Sequence, residues 1–230
     1  MANGEFRLRV CYRKAGRLRW LSHLELLHAL ERSVRRAGLP IAVTQGFNPH
    51  MKVAFGPALP VGTAGHSEYY DVWLTRYTDA SEVLSVLRAS TPQDLSPFEA
   101  RYVADGEPSL GASITIAVYH VVVTGKESSA SQVRAALESL VGSGSLTVQR
   151  KGKDKVFDLT RSLPKEVRVG DTDGGSHVEI AVRMGPEGSL RPELLVSEAL
   201  SRASLDAIVA HTTRTDTFIE TPEGSWARPV

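Results

Sequence analysis

Residues 22–40, SHLELLHALERSVRRAGLP, spell out one helix with both ends marked, and no other segment constrains the fold as much. Ser22 and Glu25 form the S-x-x-E pair of a capping box, in which each side chain meets a backbone N–H left free by the first turn. Leu24, Leu27, Leu30, Val34 and Ala37 recur every three or four residues and make the apolar stripe. Gly38 accepts a left-handed cap and Pro40 refuses to continue the helix. Just before it, EFRLRVCYRK alternates Phe6, Leu8, Val10 and Tyr12 with Arg7, Arg9 and Arg13, the pattern of a strand with one apolar and one basic face. A strand feeding an amphipathic helix must bury both apolar faces against each other, so the chain begins as a two-layer α+β structure.

The same alternation of periods continues. PIAVT and KVAFG read as short strands either side of QGFNPHM, and SEYYDVWLT as a further strand. DASEVLSVLRAST is a second helix opened by Asp79, and SPFEARYVA closes the set. The order β-α-β-β-α-β is the split βαβ pattern of a ferredoxin-like domain. SITIAVYHVVVTG, SASQVRAALESLVGS, SLTVQRKGKDKVFDLTRSL, HVEIAVRM, RPELLVSEALSR and DAIVAHTTRTDTFI repeat the theme without evident identity. Gly, Pro and Ser cluster between the halves in ADGEPSLGAS, residues 104–113, as in a linker. The expected architecture is two tandem ferredoxin-like sandwiches, residues 1–105 and 112–220. A single larger sheet is the alternative, because periodicity yields elements and not topology.

A length of 230 residues suits two domains of that size, and a 42% hydrophobic, 23% charged composition is that of a soluble globular chain. No run of about 18 apolar residues offers a membrane span, and the N-terminal residues show no secretory pattern, so a cytoplasmic location is expected. The lone Cys11 excludes an internal disulfide or a cysteine-held cluster, and its place in an alternating strand suits a buried thiol. Net charge is +1, yet residues 1–60 carry ten Lys and Arg against three acids. That excess of seven points to a localised site for a polyanion, or to a solvated basic face.

Chemistry-bearing residues concentrate in TQGFNPHMKVAFGPALPVG, residues 44–62. Gln45, Asn48, His50 and Lys52 sit among glycines and prolines, and such a loop can present amides, an imidazole and an ammonium to phosphate or to base edges. The same groups suit acid–base catalysis, and also suit nothing more than local backbone bonding. His23, in the first helical turn, is a candidate acid or base. His23 and His28 are five apart and make a poor metal pair. Arg32, Arg35 and Arg36 lie off the apolar stripe and could meet two or three phosphates, or form intrahelical pairs with glutamates. Trp20, beside Arg17 and Arg19, is read as a staple on the helix start in preference to a stacking platform. Glu68 and Asp71 are three apart on a strand, hence on opposite faces, and form no simple acid–base pair. The tip QRKGKDK, with Arg150, Lys151, Lys153 and Lys155, is basic surface that could extend a groove. The sequence contains no nucleophile elbow, P-loop or dinucleotide fingerprint, and neither a cofactor nor a metal is expected.

At WLSHLELLHALERSVRRAGLPIAVTQGFNPHMKVAFGPALPVG and EYYDV the chain resembles an uncharacterised bacterial radical-SAM-linked family, found beside or fused behind a cobalamin-type radical SAM protein. That family's pattern runs S-H-L-D, R-R-A-x-L-P, Q-G-F-N-P-H-P-K, G-x-A-L-P-x-G and E-Y-x-D. Ser22, His23, Leu24, Arg35, Arg36, Ala37, Leu39 and Pro40 fit it, as do Gln45 to His50, Lys52, Gly62, Glu68, Tyr69 and Asp71. Glu25 stands where the pattern has Asp and Met51 where it has Pro. The resemblance implies RNA- or ribosome-linked work with a radical SAM partner, and the missing three-cysteine motif assigns any radical chemistry to that partner. More diffusely, the signature is similar to the repeat-processing endoribonucleases of CRISPR systems.

Three functions follow as expectations. The first is an accessory module binding tRNA or rRNA, with Arg32, Arg35, Arg36 and Lys52 on phosphates and Gln45, Asn48 and His50 on a base or sugar edge. The second is a metal-independent endoribonuclease with His23 or His50 as base and Lys52 steadying the phosphate. The third is an adaptor docking on the radical SAM subunit.

Overall fold

The computed structural model describes residues 4–104, 106–150, 152–185 and 188–229, an α+β structure. The chain forms two units, Met1–Ile114 with Ile219–Val230, and Thr115–Phe218. In the first, β1 (Phe6–Lys14) leads through a 3₁₀ turn to α1 (His23–Arg36). Then follow β2 (Val53–Phe55), β3 (Ala64–Leu74), α2 (Ala80–Ser90), β4 (Pro97–Tyr102) and the short α3 (Leu110–Ser113). β1 lies between β4 and β3, and β2 pairs with the far side of β3, every pairing antiparallel.

The markers read from the sequence act as physical chemistry requires. Ser22 and Glu25 complete a reciprocal capping box, and the hydrogen bonds from the Ser22 hydroxyl and amide hold the Glu25 carboxyl below its usual range. Gly38 takes φ +65° at the other end, with its N–H on the Arg35 carbonyl at 3.2 Å. Asp79 caps α2 by accepting from the Ser81 amide. Leu26, Leu30 and Val34 of α1 and Val83 and Leu87 of α2 bury against Leu8, Val10 and Tyr12 of β1 and Tyr70, Val72 and Leu74 of β3. Each such side chain is worth roughly 1.5–3 kcal/mol of transfer free energy, which outweighs the helix's own marginal propensity.

The second unit runs β5 (Ile116–Gly125), α4 (Ala130–Gly142), β6 (Ser145–Arg150), β7 (Lys153–Asp158), α5 (Leu159–Ser162), β8 (Arg168–Thr172), β9 (Gly175–Arg183), α6 (Pro192–Arg202) and β10 (Ala207–Glu220). β5 lies between β10 and β9, with β8 at the far edge of β9, again antiparallel throughout. β6 and β7 form a separate two-stranded ladder. The strand beside β9 is therefore β8, RVGDT, which hydropathy does not disclose. Lys151 of the basic tip lies outside the described residues. The last two residues of β10, Ile219 and Glu220, belong to the first unit and pair there with β11 (Trp226–Ala227). No helix among the described residues is long and apolar enough to cross a membrane.

Candidate functional site

The segment 41–53 leaves the first unit as a finger whose stem is fastened to Trp73. The Ala42 amide donates to the Trp73 carbonyl (2.7 Å), the Trp73 amide to the Lys52 carbonyl (3.2 Å), and the Lys52 amide to the Ala42 carbonyl (2.8 Å). Val43 bridges Met51, the Thr44 amide donates to the His50 carbonyl (2.8 Å), and the His50 amide donates to the Thr44 hydroxyl (3.0 Å). Two closed rungs thus hold a five-residue tip, Gln45–Pro49. Gly46 has φ +148°, which a β-carbon would oppose. Every residue from Val43 to His50 is exposed, and Phe47 at the tip is fully so. The Phe47 ring adds no packing to its own unit and is open to contact. Met51, which departs from the family pattern, packs against the core of the unit and anchors the stem.

Lys52 belongs to a different environment. Its ammonium pairs with Glu5 at 2.5 Å and stands 5.2 Å from the centroid of the Trp73 ring. Arg7 stands over that same ring at 5.5 Å, so a row Arg7, Trp73, Lys52 crosses β1, β3 and the finger stem. One rung along, Asp71 sits opposite Arg9 and is fully buried. Arg9 Nε reaches Asp71 Oδ1 at 2.8 Å and its Nη2 reaches Oδ2 at 3.1 Å. Arg7 Nε and Nη2 add bonds to Oδ2 at 2.9 and 2.6 Å. The remaining guanidinium N–H groups hold backbone: Arg9 Nη1 the Pro229 carbonyl, and Arg7 the carbonyls of Glu107 and Pro108.

The Arg7–Arg9 part of the β1 basic face is therefore not an open polyanion surface. Arg9 is 1% exposed, and the face is covered by residues 107–108 and the segment before 229, clipped down by arginines that Asp71 neutralises. Three of the ten cations counted in residues 1–60 are thereby paired. Burial also pushes the Cys11 thiol on this strand up to about 12, leaving it protonated and inert.

The other candidates sit on α1. His23 is exposed in the first turn with its ring edge-on to Phe55, 6.5 Å between centroids. Phe55 packs on the helix-bearing side of the sheet, whereas Lys52 lies with Trp73 on the reverse, so the sheet separates His23 from Lys52. Arg32 and Arg35 are exposed, and neither side chain has a hydrogen-bond partner among the described residues. Arg36 instead donates to the Ser90 carbonyl at 2.8 Å and ties α1 to α2. Trp20 stands one residue outside the staple position. Leu21 occupies that position and packs on the core, while the Trp20 ring lies over Gly62 and remains 60% exposed. Lys14, fully buried, donates to the Leu21 carbonyl at 2.9 Å, a role that alternation did not reveal. Among the described residues no group of three His, Cys, Asp or Glu is placed to hold a metal.

Residues 7–192 match the profile of a bacterial family described as an uncharacterized protein conserved in bacteria (DUF2344). No curated protein matches the chain. Among solved structures, one chain of a Cbf5-Nop10-Gar1 complex is similar at a TM-score of 0.52 and 9% identity, over 91% of this chain and 48% of that one. The chain thus spans about half the length of that relative, and the likeness is one of fold.

Proposed function

The chain belongs to that uncharacterized bacterial family, and we propose that it is an RNA-binding accessory module, acting on tRNA or rRNA beside a radical SAM enzyme. The observation that carries this reading is the braced finger with Phe47 fully exposed between Asn48 and Gln45. Single-stranded RNA is recognised by stacking unstacked bases on aromatic rings while amides read their edges, and base–aromatic stacking is worth roughly 1–3 kcal/mol. His50 at the second rung and the exposed Arg32 and Arg35 supply donors for phosphate and sugar. Arg36 and Lys52 serve the fold, since their charged ends are already engaged. We read each unit as a ferredoxin-like sandwich, supported by the antiparallel neighbour order β4-β1-β3-β2 in the first and β10-β5-β9-β8 in the second.

The link to a radical SAM enzyme rests on the resemblance of the 20–71 signature, and the exposed Trp20, Leu24 and Val61 offer an apolar surface for such a partner. Fluorescence anisotropy with tRNA and rRNA fragments in chelator tests the RNA reading. Binding that weakens with salt and with Phe47→Ala supports it. Cleavage that His50→Ala abolishes makes the protein an endoribonuclease instead. Partner capture without RNA binding leaves only the adaptor.

A further inference from the structure

Arg13 is the exception on β1. From Leu8 to Lys14 every other residue is buried, while Arg13 is exposed. The register of both neighbouring ladders is irregular at this point. The β1 ladder with β3 shifts between Tyr12 and Lys14, and the ladder with β4 shifts between Cys11 and Tyr12. In each case the extra residue lies on the partner strand, between Glu68 and Gly65 of β3 and between Glu99 and Pro97 of β4, and such bulges re-aim side chains of the bulged strand and gather next to functional sites. Here both fall beside one arginine.

Arg13 lines a cavity of about 510 Å³ with His66 and Phe98 from the two bulged stretches and with Arg88, Ser96 and Pro97. Both guanidinium groups are fixed by carbonyls of one short segment. Arg13 Nε donates to the Gln93 carbonyl (3.1 Å), and Arg88 Nε and Nη2 donate to those of Pro97 and Phe98 (2.9 Å each). Among the described residues the Nη groups of Arg13, Nη1 of Arg88 and the imidazole of His66 have no hydrogen-bond partner. The lining holds two arginines and a histidine, and no carboxylate. Phe98, 42% exposed, offers a flat apolar face beside them. The size is that of a nucleotide site. The open Nη groups of two guanidiniums already fixed by carbonyls suit multidentate recognition of a phosphoryl group, with less rotamer entropy left to lose than for free side chains.

We propose that this cavity binds the phosphate monoester of a nucleotide, free or as the 5′ end of an RNA, with the base against Phe98. Only the second source rests on the RNA-binding reading. The test is calorimetric titration of the full chain with inorganic phosphate and AMP, and with one oligoribonucleotide carrying a 5′-phosphate or a 5′-hydroxyl. Arg13→Met is compared throughout, because Arg13 makes a single exposed bond where Arg88 ties α2 to β4. A matching thermal melt confirms that the variant folds.

AMP binding that Arg13→Met weakens roughly tenfold or more, the cost of charge-assisted bonds, supports the site. If the 5′-phosphate oligonucleotide also binds at least about tenfold tighter than its 5′-hydroxyl twin, the RNA end is the source. AMP binding without any oligonucleotide binding keeps the site and removes the RNA reading. Equal binding of the two oligonucleotides with no AMP binding, or binding indifferent to Arg13→Met, overturns the proposal and leaves the RNA reading standing.

Discussion

Replacing Asp71 by alanine should cost the first unit more than any other single change in it. The carboxylate is fully buried and accepts four charge-assisted bonds from Arg7 and Arg9. Removing it leaves the Arg9 guanidinium, 1% exposed, with only the Pro229 carbonyl among the described residues. Breaking one partner out of a buried pair costs about 3–5 kcal/mol, because the surviving charge stays desolvated. Against a total stability of roughly 5–15 kcal/mol this is a third or more. The protein carries its own reporter. Its three tryptophans, Trp20, Trp73 and Trp226, all lie in the first unit, so selectively excited tryptophan emission in urea follows that unit. With a slope of roughly 1–3 kcal/mol/M, the midpoint should fall by about 2 M. Arg9→Met is the necessary second arm. With that charge gone, Asp71→Ala should cost at least about 1 kcal/mol less, because fewer cations are left stranded. A loss below about 0.5 kcal/mol for Asp71→Ala, or one indifferent to Arg9→Met, would show that the face is not held as described.

Other outcomes follow from the same geometry. Because burial holds the Cys11 thiol up near 12 from an ordinary 9.0, and raises the Tyr70 hydroxyl too, the native chain keeps protons that the unfolded chain releases. These two groups should therefore leave the stability of the first unit unchanged from neutral pH up to about 9 and lower it between 9 and 12, with a shallower decline in Cys11→Ala, as urea melts at stepped pH would show. At pH 8, alkylation of Cys11 should be at least about a hundredfold slower in the native protein than in urea. Gly62→Ala, at φ +87° with its β-carbon 2.8 Å from the Trp20 ring, should cost roughly 1–3 kcal/mol and shift Trp20 emission. Phe47→Ala should leave stability within about 0.5 kcal/mol of wild type, measured by the same melts, because the ring packs against nothing.

Much of this was legible in the chain itself, and what was not has definite causes. α1 could be read to within a residue because both its ends use local chemistry: Ser22 with Glu25 at the start, Gly38 at φ +65° at the end. The exposed loop could be found because glycine, proline and polar residues cluster only where no face is buried. The fate of Arg7 and Arg9 could not. Alternation says that they share a face, but what covers that face comes from residues about 100 and 220 positions away in the chain. Asp71 was seen by parity to stand apart from Glu68, yet its two arginine partners are a matter of strand pairing. Trp20 was assigned to the staple for want of Gly62, which brings a floor for the ring from another loop. β8 escaped because a short edge strand with Gly170 and Asp171 lacks the apolar alternation that marks a strand. The cavity at Arg13 and Arg88 could not be read, since the bulges in β3 and β4 that set His66 and Phe98 beside Arg13 leave no mark in composition.

The central claim is that the finger at 43–51 meets RNA. The direct measurement is the affinity of the full chain for a single-stranded oligoribonucleotide across a salt series, for wild type, Phe47→Ala and Arg32→Ala/Arg35→Ala. Log affinity should fall linearly with log salt. Removing the ring should cost about 1–3 kcal/mol at unchanged salt slope. The arginine variant should flatten the slope by about 1.4. Affinity that ignores Phe47, or a slope that ignores both arginines, would contradict that claim.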